Sequence, residues 1–484
     1  MNRERQLKEK TAKGLMWGGL SNVLQQLLNL VFGVCLSRLL DVEDFGLIGI
    51  LTIFSLIATT LQESGFTQAL TNKDNATHED FNSVFWCSSA IGIGLYLLLF
   101  FCAPYIASFY GNPILTPLSR YLFLGFVFAS LGTAYNAYLF KYMMVKERAI
   151  SMITGLICSG IIGVTMAYLG YAFWGLATQH ISYIVCTNLL FRYFSKWRPN
   201  LQVTFRPVKE MFSFSYKMVI SKICVHLNNH ILNNILGKLF TSKEVGYFTQ
   251  ANKWNIMGSS VVTEMIHGVA QPLFKNVSYD NDVKSQVFGK MLRFTSFIVF
   301  PSLWGLSFIA PEFIEILLTK KWLDSAYLLQ ILCIGGAFLP LNNLFSNLIV
   351  SSGKSNIYMW CNISLVLAQL LMALLIHPMG IVAMIIGFVA LQVAWLFVWY
   401  YFVRREINLP VLSLLKEILP YAAISLISIG VVFMLIQFFP ENIYLIILCK
   451  ILFVGIIYFG ILYLGKFSIL KETIQHIRYI ISKR

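Results

Sequence analysis

The chain has 484 residues, 57% of them hydrophobic and 12% charged, and a mean hydropathy of +0.70. A soluble protein of this length needs a far more charged surface, so the composition defines a polytopic membrane protein. Lys and Arg outnumber Asp and Glu by 37 to 22, but the excess is scattered over short loops rather than gathered on one patch, which argues against nucleic acid as a partner.

A membrane-crossing helix needs about 20 predominantly apolar residues. That rule predicts fourteen spans, at 14–37, 45–63, 83–108, 118–140, 150–169, 174–192, 212–236, 246–271, 286–307, 326–350, 356–376, 379–402, 417–437 and 443–465. The longest connection divides the chain near its middle. The expected organisation is therefore an N-lobe over 1–192 (spans one to six), a cytoplasmic linker over 193–211, a C-lobe over 212–402 (spans seven to twelve), and spans thirteen and fourteen with a basic cytoplasmic tail over 403–484.

The basic N-terminus runs into an apolar stretch too long for a removable signal and without an A-x-A cleavage site, so it predicts a retained first span. On that span Asn22, Gln26, Asn29 and Gly33 fall on one helical stripe, mostly polar. Asp41, Glu43 and Asp44 follow in a short loop, and Glu63 lies near the far end of span two. The nine cysteines all sit in apolar runs without CxxC or metal-type spacing, as small buried residues do, and no metal is expected.

Span seven, "SKICVHLNNHILNNILGKLF" at 221–240, is the least membrane-like. Lys222, His226, Asn229 and Asn233 follow i, i+4, i+7, i+11, which aligns them on one face. Lys222 lies ~15 Å deep at 1.5 Å per residue, near the midplane, where an insertion scale puts a lysine at about 2.5–3.5 kcal/mol. Such a lysine faces the protein interior, where it either pairs with a structural carboxylate or carbonyl or binds an anion. Two histidines at i, i+4 without a carboxylate are a weak metal signal, and the asparagines also suit plain helix–helix hydrogen bonding. Span eight carries Lys253 and, three turns on, Glu264 on the same face. Glu264 and Glu63 fit gate ion pairs, ion-coupling groups with H⁺ or Na⁺, or ordinary interfacial residues. Lys217, Lys290 and Arg293 collect at the inner mouth, where they serve topology or attract an anionic head group. In span fourteen, Lys450 is expected to contact a neighbouring helix or to snorkel.

With the N-terminus inside, an even number of spans puts both termini in the cytoplasm. Six basic residues then fall outside (Arg38, Arg120, Lys238, Lys243, Lys320, Lys321), three within spans (Lys222, Lys253, Lys450), and the remaining 28 inside, the bias that positive-inside orientation requires.

The chain also matches itself at a shift of 200: "SRLLDVEDFGL" at 37–47 falls on "GKLFTSKEVGY" at 237–247, pairing Asp44 with Glu244 and Gly46 with Gly246. Later matches, "GFTQAL" with "GVAQPL" and Ala103-Pro104 with Ala310-Pro311, keep the same order. Two parallel six-span repeats, forming two lobes around a central cavity, are expected, with spans thirteen and fourteen as a peripheral pair. The wet faces of spans one and seven would line that cavity, and its excess of cations favours an anionic cargo.

The basic start, "GLMWGGLSNVLQQLLNLVFGVCLSRLL" and above all "SRLLDVEDFGLIGI" at 37–50 resemble the Wzx and WzxC-type polysaccharide flippases of the multidrug/oligosaccharidyl-lipid/polysaccharide exporter superfamily. The resemblance implies a bacterial inner-membrane flippase for an undecaprenyl-diphosphate-linked oligosaccharide in O-antigen, capsule or exopolysaccharide assembly. It implies no cofactor, a monomer, and polysaccharide polymerase machinery as a candidate partner. No motif transfers a site residue. A drug or organic-cation exporter and a lipid II flippase are the alternatives within the superfamily. An enzyme, with Asp41, Glu43 and Asp44 as acids, is disfavoured because no long outside loop exists to hold a catalytic site.

Overall fold

The computed structural model describes residues 2–63, 70, 76–201, 223, 226–228, 230–276, 281–436, 442–467 and 469. The chain divides into two compact units, Met1–Gly246 and Tyr247–Arg484, both built from helices.

The first unit contains α1 (Asn2–Leu39), α2 (Val42–Glu63), α3 (His78–Tyr110), α4 (Leu115–Leu122), α5 (Leu124–Lys141), α6 (Val145–Tyr168), α7 (Phe173–Phe194) and α8, described over 230–239. It ends in the first turn of α9 (Ser242–Asn276). Helix α3 starts with a capping box: the Thr77 hydroxyl accepts from the Asp80 N–H, while Asp80 accepts from the Thr77 N–H at 2.8 Å. It stops at Gly111, whose φ of +68° suits a residue without a Cβ. The α6–α7 seam is closed by glycines about two turns apart. A Cβ on Gly155 would fall 2.2 Å from the Thr187 hydroxyl, and one on Gly163 would fall 2.8 Å from Gln179. In lipid, where burial gives helices no advantage over the surrounding chains, such close approach is what holds a pair together.

At one end of this unit Trp197 is buried among Phe81, Phe85 and Tyr135, and the Trp86 indole donates to the Asn200 carbonyl at 2.7 Å. The start of the expected linker is thus fastened to α3. At the other end α8 packs on α2 and α3. The Tyr110 hydroxyl donates to Asn234 Oδ1 at 3.1 Å, and the Lys238 ammonium donates to the Phe109 carbonyl while lying 4.6 Å from its ring centre. These contacts explain why the compact unit runs to Gly246 rather than ending at the linker.

The second unit contains the rest of α9, α10 (Asn281–Leu318), α11 (Leu323–Gly336), α12 (Leu339–Ser351), α13 (Ser355–Ile376), α14 (Ile381–Ile407), α15 (Val411–Leu435) and α16 (Ile443–Leu464). Phe288, Phe300, Trp322 and Phe345 form its most buried layer. Helix α10 is the spine for the last two helices. Arg293 makes a bidentate pair with Glu417 of α15, both contacts at 2.6 Å, and Lys450 of α16 meets Glu312 at 2.7 Å. Between these ties the Tyr458 hydroxyl donates to the Phe297 carbonyl at 2.9 Å. The C-terminal pair is therefore bolted to α10 along its length.

Ten segments among the described residues are long and apolar enough to cross a membrane, and each coincides with a predicted span. Of the other four predicted spans, 174–192 and 246–271 are the helices α7 and α9, which are rich in polar residues, and 45–63 lies in α2. Most of 212–236 falls outside the described residues. The fourth and tenth predicted spans are each broken, at Phe123 and at 337–338, where the sequence reading has continuous helices.

Candidate functional site

A lipid-facing helix has no reason to expose amides, so the polar faces of the apolar helices mark the site. In the first unit, α1 packs with Ser21, Leu36 and Ser37 turned inward, the Ser37 hydroxyl donating to the Gly33 carbonyl. The stripe beside that seam, Asn22, Gln26 and Asn29, is exposed, whereas Gly33 is buried. Three of the four stripe residues are thus presented together.

Span seven is more divided. Lys222, Asn229 and the mouth residue Lys217 lie outside the described residues. His226 and His230 are half-buried, and the Asn234 amide donates to the His230 carbonyl at 3.0 Å. Asn233 is only 5% exposed, and its Oδ1 has no hydrogen-bond partner among the described residues. It is tucked into the helix seam instead of lining an open face. The neighbouring Asn234, which the periodicity did not select, makes the contact to Tyr110.

Helix α7 adds a residue that sequence reasoning missed. His180 is exposed within a membrane-length helix, flanked by Gln179, which packs against Gly163, and Thr178, which bonds the Tyr121 hydroxyl at 3.0 Å. The signal was available in the run "TQH" at 178–180.

In the second unit, Lys253 of α9 is half-exposed, and its ammonium lies 5.8 Å from the centre of the Trp254 ring, within cation–π range. Trp254 is held by an edge-to-face contact with Phe313. Glu264 is exposed on the same face, ~16 Å further along the helix axis. Among the described residues neither Lys253 nor Glu264 has an ion-pair partner. The side chain of Glu63 is outside the described set. Of the residues expected at the inner mouth, Lys290 is exposed, whereas Arg293 is committed to Glu417. Arg293 therefore works as a tie between α10 and α15. Lys450 has found a neighbouring helix, as expected.

The loop acids are also accounted for. Asp44 accepts from the Asp41 N–H at 3.0 Å, and Glu244 accepts from the Thr241 N–H at the same distance. Each caps the start of its own helix, which gives these matching carboxylates a structural job.

A multi-pass helical bundle that carries polar stripes on membrane-length helices has the build of a membrane transporter. The solved structure of the lipid II flippase MurJ in an inward closed conformation has the same fold: TM-score 0.74 and 15% identity, covering 93% of this chain and 99% of that one. The sequence narrows the class further. The family model described as "Polysaccharide biosynthesis protein" matches residues 35–327, and the chain belongs to that family. Lipopolysaccharide biosynthesis protein WzxC of Escherichia coli (strain K12) is 26% identical over 358 residues, 72% of each chain. Teichuronic acid biosynthesis protein TuaB of Bacillus subtilis (strain 168) is 23% identical over 441 residues, 86% of this chain and 88% of its own.

Proposed function

We propose that this protein flips an undecaprenyl-diphosphate-linked oligosaccharide from the inner to the outer leaflet of a bacterial inner membrane, for O-antigen, capsule or exopolysaccharide assembly. The observation that carries this reading is Lys253: a half-exposed cation on α9 without an acid to neutralise it among the described residues. A diphosphate supplies the missing charge through charge-assisted hydrogen bonds. Family membership and relatives named for polysaccharide biosynthesis support the cargo class.

In this reading Lys222 joins Lys253 on the diphosphate. Gln26, Asn29, His226 and Asn229 hydrogen-bond sugar hydroxyls, Lys217 and Lys290 gather the head group at the inner mouth, and Glu264 and Glu63 are the groups through which H⁺ or Na⁺ would couple. Two parallel six-span repeats acting as rocking lobes, with both termini in the cytoplasm, complete the proposed mechanism. An exporter of organic cations would instead be expected to carry an acid where this chain carries Lys253.

The test is made in a strain lacking the gene, by measuring surface polysaccharide and the lipid-linked oligosaccharide pool. Wild type should restore polymer, while Lys222→Ala and Lys253→Ala should leave the complete lipid-linked unit to accumulate. An incomplete unit in the deletion strain would point to an enzyme. No change in either pool would refute the flippase.

A further inference from the structure

The segment that follows α7 is fastened mainly through its own carbonyls. The Asn200 carbonyl accepts from the Trp86 indole at 2.7 Å, and the Arg198 carbonyl accepts from His78 Nε2 at 3.1 Å. The carbonyls of Ser195 and Trp197 both accept from Nη1 of Arg198. In the other direction, the Asn200 N–H donates to Asn82 Oδ1 at 2.9 Å. These bonds fix residues 195–200 against the start of α3, and they occupy most of the acceptors on that segment.

What remains is a set of donors. Tyr135 and Trp197 are 5% and 6% exposed, and their ring centres lie 5.5 Å apart. Neither the Tyr135 hydroxyl nor the Trp197 indole N–H has a hydrogen-bond partner among the described residues. Buried polar groups are costly to leave in this state. Two positive charges stand beside them, for Arg192 in the last turn of α7 and Arg198 both act on the Tyr135 hydroxyl. Arg192 is exposed and has no partner among the described residues, while the carbonyls on Nη1 of Arg198 hold its guanidinium in place. Asp80 is committed to the Thr77 cap, and Glu79 and Glu147, in the first turns of α3 and α6, make no ion pair with either arginine.

Donors and cations without an acid define an anion site, and two guanidiniums suit a phosphate. The flank of the site suits acyl chains: Leu189 and Tyr193, one turn apart on α7 beside Arg192, are 60% and 75% exposed. The sequence reading assigns this basic end to the cytoplasm, where anionic phospholipid head groups lie.

We infer that this end of the first unit binds one anionic phospholipid, with its phosphate between Arg192 and Arg198 against the Tyr135 hydroxyl and its chains along Leu189 and Tyr193. The lipid ties the end of α7 and residues 195–200 to the bilayer. The site uses none of the residues assigned to the cargo and does not rest on the flippase reading.

The test titrates the purified full chain, in a neutral detergent, with phosphatidylglycerol or with phosphatidylcholine of the same chains, counting bound lipid by native mass spectrometry. Wild type should hold one phosphatidylglycerol about tenfold more tightly than phosphatidylcholine. Arg192→Gln with Arg198→Gln should erase that preference, and Tyr135→Phe, which keeps the ring in its cage, should weaken phosphatidylglycerol about fivefold. Lys196→Gln removes an exposed charge from the same segment and should change nothing. Equal retention of both lipids by wild type would overturn the site, and this comparison needs no variant to fold. So would an unchanged preference in the double arginine variant, wild-type binding by Tyr135→Phe, or a loss in Lys196→Gln as large as that of the arginine pair. Displacement of phosphatidylglycerol by an equal concentration of inorganic phosphate would remove the lipid chains from the site. Displacement by equal undecaprenyl diphosphate would reassign the site to the cargo, and either result refutes a phospholipid site.

Discussion

Removing the Lys450 ammonium should destabilise the C-terminal pair more than almost any other single change in the second unit. Lys450 is 5% exposed and its only carboxylate contact among the described residues is Glu312, 17% exposed, at 2.7 Å. The ammonium also lies 3.4 Å from the Phe308 carbonyl and 4.5 Å from the centre of the Phe308 ring. It borders an apolar groove of about 480 Å³ between α10 and α16, lined by Pro301, Gly305, Val454 and Gly455. In Lys450→Met, Glu312 keeps no partner among the described residues: Oε1 loses its ammonium, and Oε2 has none there to begin with. Leaving one charge of a buried pair uncompensated costs about 3–5 kcal/mol. Protonation of the carboxyl limits this toward the roughly 2.5–3.5 kcal/mol of membrane-insertion scales, so about 3 kcal/mol is expected. Lys450→Met with Glu312→Gln removes both charges and should recover most of that loss.

The assay is the rate of heat inactivation in lipid nanodiscs, read by a thiol-reactive dye on Cys333 and Cys361, both buried in the intact protein. A rate is the proper observable because membrane proteins of this size commonly unfold irreversibly. Lys450→Met should inactivate well over tenfold faster than wild type, and the double variant should fall near wild type. A single variant as stable as wild type, or a double no better than the single, would refute the ion-pair argument.

Lys253→Ala should abolish surface polymer while leaving heat inactivation within about 0.5 kcal/mol of wild type, since no ion pair is broken; a matching loss of stability would make Lys253 a structural residue. Gly160→Ala places a Cβ 2.4 Å from the Phe32 ring and should destabilise by about 1–3 kcal/mol through overpacking, seen as faster inactivation than Ala-for-Gly at Gly94, where nothing lies within 4 Å. Trp197→Ala empties a pocket among Phe81, Phe85 and Tyr135 and should cost about 3–5 kcal/mol. Limited proteolysis should then cut the segment after residue 197 sooner than in wild type.

Local periodicity made most of this architecture legible. Apolar runs located the ten helices that suffice to cross a membrane, and the i, i+4, i+7 spacing on α1 named Asn22, Gln26 and Asn29, which are exposed together. The match of Asp44 with Glu244 was visible, though not its meaning, because a cap is recognised only when the carboxylate is seen on the N–H three residues back. What stayed hidden depends on partners far along the chain. Arg293 looked like a free cation at the mouth, since Glu417 is 124 residues away. Asn233 and Asn234 are equally polar, and only the position of Tyr110 decides that the second makes the bond. The breaks at Phe123 and at 337–338 fall in apolar sequence, where the helical period continues through a kink unmarked.

The treatment of three cations in the second unit separates structure from function. Arg293 and Lys450 are each closed by a carboxylate within 2.7 Å, as expected where an uncompensated charge is expensive. Lys253, half-exposed on α9, has no carboxylate partner among the described residues and only the face of Trp254 beside it, a contact worth about 0.5–2 kcal/mol. In the flippase reading proposed above, a chain that neutralises two cations with acids and leaves the third without one keeps that third charge for a counterion that comes and goes. A diphosphate fits this role because it brings the charge with it and takes the charge away on release. On that proposed reading Lys253 discriminates between loaded and empty states, as a permanently paired residue could not.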